Sequence, residues 1–301
     1  MKSSIAKILR ENKPNNAYTT IATYASTILN NCERIGIPAT PEAIYDNYEK
    51  VVNYADSLDP KVRKNFLTPI LAFLKPSTDN EHMIKELLRS LLLQTRDKID
   101  ETTVIGKKTE KQEEGWMDYD DIMKKYHALE NEVKPYFNGD SELTRAEYKR
   151  AELYVLLSCF LLIAPRRSLD FTAFKIRGHD DKEDNYMEGR KFVFNRYKTD
   201  KTYGQQEIDI PKKLQSIINK WKEFNPHEYL LTTKAGGHIS SPRLNKILHD
   251  FFERPLSSSL LRHIIITHRG KSGELKTVKQ RKELAKDMGH SVEQQMMEYE
   301  K

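Results

Sequence analysis

Apolar residues recur at helical spacing along the first hundred positions. Ile21, Tyr24, Ile28 and Leu29 mark one helix, and Gly36 and Pro38 break the pattern after it. Thr40-Pro41 predicts the start of a second helix, with Ile44, Tyr48, Val51 and Val52 on one face. A third runs from about Pro60 through Val62, Phe66, Leu67, Ile70, Leu71 and Leu74, and Pro69 predicts a kink or break inside it. A fourth carries Met83, Ile84, Leu87, Leu88, Leu91 and Leu92. Four short amphipathic helices predict a small bundle.

The pattern then lapses. Residues 98–117 are polar, charged and without period, and read as a linker. Helices resume over Tyr119 to Val133 and Arg145 to Ala164, the second stopped by Pro165. Strand signals follow. Lys191 to Tyr197 is aromatic and β-branched, and Gln206 to Ile210 alternates polar with apolar, so the two predict a β-hairpin around a turn that begins Lys198-Thr199. Pro211 opens a helix with Leu214, Ile217, Ile218 and Trp221 on one side. Tyr229 to Thr233 reads as a third strand. Ser241-Pro242 reads as an N-cap and first helical residue, and another helix begins at Ser259. One more helix ends at Met288-Gly289, and Ser291 with Gln294 predicts a capping box for a last helix reaching Tyr299. The expected fold class is mainly α with a small antiparallel sheet. It comprises a helical domain over residues 1–97, a linker over 98–117 and an α+β domain over 118–301.

Charge adds a bias to this picture. The chain has 301 residues, with 50 Lys and Arg against 44 Asp and Glu, a net charge of +6. Residues 1–100 carry +2, residues 101–165 carry −4 and residues 166–301 carry +8. The basic C-terminal part points weakly to a polyanionic partner. Cys32 and Cys159 are far apart and lack metal-like spacing; Cys159, in the apolar run Leu153 to Ala164, reads as a core residue. That run is too short to span a membrane, which needs about 20 residues. The N-terminus lacks a secretory apolar region. A soluble, reduced, intracellular protein without membrane association is expected.

Candidate chemistry lies in the order of five C-terminal polar residues. Arg167 follows the helix-ending Pro165, Lys198 sits in the hairpin turn, and Arg262 lies in a helix beginning Ser257-Ser258-Ser259. His290 follows Met288-Gly289, and Tyr299 comes nine residues after His290. Two guanidiniums, an ammonium, an imidazole and a phenol suit attack on a phosphodiester. A tyrosine with pKa about 10 is only ~0.1% ionised at pH 7, and nearby cations ease its deprotonation. Two arginines can clamp the non-bridging oxygens and stabilise the transition state. A lysine on a hairpin can protonate the leaving oxygen. The phosphotyrosine product conserves the bond for religation. Arg166 competes with Arg167 for its role, and the spacing to Asp170 favours Arg167. Lys191 and Lys201 compete with Lys198.

This order resembles the tyrosine recombinase/integrase family. Arg167-Ser168-Leu169-Asp170 matches that family's first Arg with an acid three residues on. Lys198-Thr199 matches its hairpin Lys, Arg262-His263 its second Arg with trailing His, and Met288-Gly289-His290-Ser291 with Tyr299 its terminal motif. The helix from Arg63 to Phe73 resembles part of its core-binding domain. The resemblance implies Tyr299 as nucleophile, forming a 3′-phosphotyrosyl link, with Arg167, Arg262 and His290 around the phosphate and Lys198 as acid. Asp170 would orient an arginine and His263 would be mostly structural. It also implies double-stranded DNA as partner, a homo-tetramer on paired sites, action at DNA in a cell, a nucleus or a virus factory, and no cofactor or metal.

The chain departs from the family pattern in three places. Ser259 stands where a His is usual, and reads as a helix N-cap. The polar stretch Arg269 to Glu283 reads as a loop insertion between Arg262 and His290. Two residues follow Tyr299, where many members carry a longer tail that packs on a neighbouring subunit. Two rival functions follow: a type IB topoisomerase using a similar residue set as a monomer, and a DNA-binding protein of this fold with weakened catalysis.

Overall fold

The computed structural model describes residues 2–74, 79–102, 104, 106–139 and 142–292. It is mainly helical with one three-stranded antiparallel sheet, and the chain divides into two compact units, Met1–Val104 and Ile105–Lys301.

The first unit has six helices among its described residues rather than four. Helix α1 (Lys2–Asn12) buries Ile5 and Leu9, four residues apart on one face. Helix α2 (Tyr18–Ile35) buries Ile21, Ala25, Ile28 and Cys32. It ends at Gly36, whose φ of +77° and N–H bonds to Cys32 O and Glu33 O form a left-handed cap. The expected second helix is two, α3 (Pro41–Asp46) and α4 (Tyr48–Ser57). Asn47 divides them: its backbone leaves helical values, and its Nδ2 donates to Ala43 O at 2.9 Å. Helix α5 (Pro60–Phe73) continues through Pro69, which is buried. Helix α6 (Asp79–Thr102) carries helical structure into the first residues of the expected linker. Arg63 turns inward and pairs with Asp56 at 3.1 Å.

The second unit opens with α7 (Glu110–Gly115), where a linker was expected. A capping box between Thr109 and Gln112 starts this helix. A Cβ on Gly115 would lie 2.5 Å from Pro255 O, so the absent side chain lets α7 seat closely. Helices α8 (Tyr119–Asn138) and α9 (Arg145–Leu161) follow, and α9 is buried along its whole second half, including Cys159. Next come α10 (Ser168–Thr172), β1 (Tyr186–Glu188), β2 (Lys191–Phe194), α11 (Asp200–Tyr203) and β3 (Gln206–Asp209). Helices α12 (Lys212–Phe224), α13 (Ser241–Phe252), α14 (Ser258–Lys271) and α15 (Val278–Asp287) complete the unit.

The hairpin is as expected, with β2 pairing β3 in the register Phe192 to Ile208 and Phe194 to Gln206. Its third strand is β1, which pairs on the other edge of β2. Tyr229 to Thr233 makes only isolated bridges, Tyr229 to Lys175 and Thr232 to His238. Leu230 and Leu231 are both buried, so this segment runs through the core instead of alternating faces. The caps shift slightly: Ser240 caps α13 and Ser257 caps α14, in place of Ser241 and Ser259. The expected loop insertion is mostly helix, because α14 runs to Lys271 and α15 starts at Val278. A Thr277–Gln280 capping box starts α15. The last helix, through Gln294 to Tyr299, lies outside the described residues. Among the described residues no helix is long and apolar enough to cross a membrane.

Phe171 sits at the centre of the core beneath α10. Its ring lies 5.5 Å from Phe160, 5.8 Å from Phe174, 6.0 Å from Phe192 and 5.9 Å from Phe194, mostly edge-on. This packing ties α9, α10 and the sheet together. Phe171→Ala is expected to destabilise the protein by about 3–5 kcal/mol, read as a lower urea midpoint for unfolding.

Candidate active site

The site is assembled where three segments meet: the end of α9 leading into α10, the turn between β2 and β3, and the turn after α15. Helix α9 ends at Leu161, short of the expected Ala164, so Pro165 lies in the irregular chain that follows, and Arg167 is the extended N-cap of α10. The two adjacent arginines have opposite fates.

Arg166 is fully buried. Its Nε donates to Asp170 Oδ2 at 2.7 Å, and its Nη1 donates to Gln206 Oε1 at 2.8 Å and Asp287 O at 2.6 Å. Its guanidinium lies 4.0 Å from the Phe194 ring centre and 5.0 Å from that of Tyr197. Asp170 therefore holds Arg166, four residues away, rather than Arg167. Burial lifts the Asp170 carboxyl above its usual range, and Arg166 beside it pulls in the opposite direction. Arg167 is half-buried, and its Nη1 donates to Gly289 O at 3.2 Å.

Arg262 and His290 lie together. Arg262, on α14, is buried and donates through Nε to Pro165 O at 3.0 Å. Its Nη2 lies 3.4 Å from His290 Nδ1. A guanidinium only donates, so Nδ1 accepts, and the neutral ring keeps its proton on Nε2. His290 is buried, and burial followed by the charges of Arg262, Arg167 and Arg166 pushes its pKa down to about 3. At neutral pH it is an uncharged hydrogen-bonding group.

Gly289 joins the segments. Its φ of +65° is left-handed, and it follows α15 as the expected glycine of a helix end. Its carbonyl accepts from Arg167 Nη1 and from Thr199 Oγ1, the latter at 2.8 Å. Thr199 thus tethers the hairpin turn beside His290. Lys198, one residue earlier, is exposed in that turn. Its competitor Lys191 points elsewhere, pairing with Glu207 at 2.6 Å.

Of the remaining expected residues, Ser259 is exposed in the first turn of α14 and does not cap it. His263 is half-buried beside Arg262 in sequence. Tyr299 lies outside the described residues. Sequence reasoning left out Gln206, whose Nε2 also donates to Lys286 O at 3.1 Å. It also left out Asn185, which bonds Asp170 O at 3.0 Å and Arg196 O at 2.7 Å. A four-residue separation between Arg166 and Asp170 was visible, but no sequence signal marked either amide.

In chemical terms the arrangement is a cluster of cationic donors. Arg167 bonds the Gly289 carbonyl and Arg262 lies against the His290 ring, while the Asp170 carboxylate is engaged by Arg166.

No protein-family model matches the chain, and no curated protein is similar to it in sequence. Among solved structures, the chain is similar to XerA recombinase at 12% identity and a TM-score of 0.41, covering 98% of this chain and 92% of that one. It is similar to a lambda integrase (residues 75–356) dimer bound to a COC′ core site at 15% identity and a TM-score of 0.48, covering 95% and 93%. A lambda integrase tetramer bound to a Holliday junction gives 15% identity and a TM-score of 0.48, covering 97% and 75%.

His290 has a consequence for stability. Its folded pKa of about 3 lies below the unfolded value of 6.5. Between these the unfolded chain binds a proton that the folded chain refuses, so stability falls as pH drops through that window. Glu152, raised by burial to about 7, acts in the opposite sense between its ordinary value of 4.5 and 7. The comparison of wild type with His290→Gln isolates the histidine. The stability advantage of wild type over the variant should shrink from pH 6.5 towards pH 3, measured by urea unfolding at a series of pH values.

Proposed function

We propose that this chain is a tyrosine-type DNA strand transferase, a site-specific recombinase or integrase acting on double-stranded DNA. The observation that carries the reading is the meeting of Arg167, Arg262 and His290 around the Gly289 turn, with the Lys198 turn tethered to the same carbonyl. The resemblance of the Arg167, Lys198, Arg262, His290 and Tyr299 order to that family supplies the reaction class.

In this reaction the Tyr299 phenol gives up its proton to water and its oxygen bonds to phosphorus. The bond from phosphorus to the 5′ oxygen breaks, leaving a 3′-phosphotyrosyl link. Arg167 and Arg262 donate to the non-bridging oxygens, whose negative charge grows in the transition state. Neutral His290 offers its Nε2–H as a further donor. Lys198 gives its proton to the leaving 5′ oxygen. Attack by a 5′ hydroxyl of another strand reverses the step and joins it. A tetramer on paired sites would let each of four subunits cut one strand. Asp170 serves the site through Arg166, His263 through the packing of α14, and the exposed Ser259 hydroxyl remains available to a phosphate.

A nicked suicide substrate that traps the cleaved strand tests the reading. Wild type should form a covalent protein–DNA adduct, and Tyr299→Phe none. Arg262→Ala should slow adduct formation by about 10²–10³-fold, the scale for removing one preorganised charge-stabilising donor. An adduct from Tyr299→Phe equal to wild type would sink the nucleophile assignment. Relaxation of supercoiled plasmid without recombinant joints would instead indicate a topoisomerase, and salt-sensitive binding with no cleavage a DNA-binding protein.

A further inference from the structure

Arg166 is fully buried, and its Nε and Nη1 are engaged by Asp170, Gln206 and Asp287 O, so that it touches all three segments of the site. We infer that Arg166 is a positioning residue that clamps the β2–β3 hairpin to the end of α15, so that Lys198 and His290 address the same phosphate. This rests on the reading of Lys198 as the acid for the leaving oxygen.

The geometry of the clamp is specific. Phe194 and Gln206 are the register pair nearest the turn that carries Lys198. Arg166 stacks on Phe194 and bonds the Gln206 side chain, so it grips both strands where the turn begins. The same Nη1 bonds Asp287 O at the last residue of α15. Gln206 closes the bracket, with its Oε1 held by Arg166 and its Nε2 donating to Lys286 O. Asp170 anchors the other side of the guanidinium through Nε. Five planar donors allow this branching, which a lysine ammonium cannot reproduce. The hairpin and the α15 turn also meet without room to spare. A Cβ on Gly289 would lie 3.3 Å from Tyr197, 3.4 Å from Gln206 Oε1 and 3.5 Å from Arg166 Nη2.

Removing Arg166 outright would leave Asp170 buried without its partner, so folding could fail. Gln206→Ala cuts one arm of the clamp and leaves the buried pair in place. Arg166→Lys retains the charge and loses the fork. Single-turnover cleavage is measured on two duplexes, one normal and one with sulfur in place of the 5′ bridging oxygen at the scissile phosphate. A thiolate, from a thiol of pKa about 8.5, leaves without the proton an alkoxide needs. Lys198→Ala should slow the oxygen substrate by about a hundredfold or more and recover on sulfur, as loss of a general acid does. Gln206→Ala and Arg166→Lys should slow the oxygen substrate about tenfold or more, a fraction of the general-acid effect, and also recover on sulfur. Arg262→Ala should stay slow on both.

A clamp that is merely structural would slow both substrates alike. If Gln206→Ala does so while Lys198→Ala recovers, the inference is overturned and the reading of Lys198 stands. Wild-type rates for Gln206→Ala and Arg166→Lys on both substrates overturn it too. If Lys198→Ala fails to recover on sulfur, the reading of Lys198 falls and the inference falls with it.

Discussion

The site depends on one buried ion pair, Arg166 with Asp170. Both side chains are fully out of water, and the desolvation of two charges is a large expense that their attraction only partly offsets. Such a pair persists because the surrounding packing leaves it no alternative. Phe194 and Tyr197 face the guanidinium, and Phe171, next in sequence to Asp170, is held in a cluster of four other phenylalanines. The apolar core stabilises the unit, and the ion pair specifies how the segments on its surface are arranged. A buried ion pair is a weak source of stability, and the branching hydrogen bonds of Arg166 fix instead which segments meet.

The pair also sets the electrostatics around it. Asp170 is bonded to Arg166 and is also attracted by Arg167 and Arg262, and all three guanidiniums depress the pKa of His290. A histidine among three guanidiniums cannot afford a fourth positive charge, which makes it a neutral donor rather than an acid near pH 7. In the proposed reaction, two guanidiniums would match the charge of a phosphodiester passing through a pentavalent state, which carries about two negative charges shared over its oxygens. The same cluster would be strained by mutual repulsion in an empty site, and a bound phosphate would relieve it.

Much of this was legible in the residues. The hairpin followed from the aromatic and β-branched run Lys191 to Tyr197 and the alternation in Gln206 to Ile210, and Gly289 was readable as a helix-ending glycine. What escaped was set by partners distant in sequence. Strand β1 is three residues long, too short to show a period, and exists because β2 offers it an edge. Helix α7 lies in a stretch with no apolar period, and its capping box and the glycine contact with Pro255 make it helical. Asn47 splits a helix by a side-chain bond that no hydrophobic pattern reveals. At the site, Gln206 and Asn185 are ordinary amides in the sequence and acquire meaning only from the carbonyls they meet across 80 and 15 residues.

The choice between Arg166 and Arg167 shows why spacing alone is a weak guide. A three-residue separation from Asp170 favoured Arg167, yet the carboxylate is bonded to Arg166. Arg167 remains the better candidate for a phosphate, for a different reason: the Arg166 guanidinium is engaged by Asp170, Gln206 and Asp287 O, while Arg167 is only half-buried. The distinction extends to the other cations. Arg262 is buried and braced on Pro165 O, as suits a fixed source of electrostatic stabilisation that must not reorganise during reaction. Lys198 is exposed on a turn, as suits a group that gives up a proton and regains it from solvent. A fixed cation needs only a rigid element beneath it. A proton donor needs freedom at its tip and a fixed base, which the Thr199 bond to Gly289 O and the Arg166 clamp on Phe194 and Gln206 supply on either side of the turn.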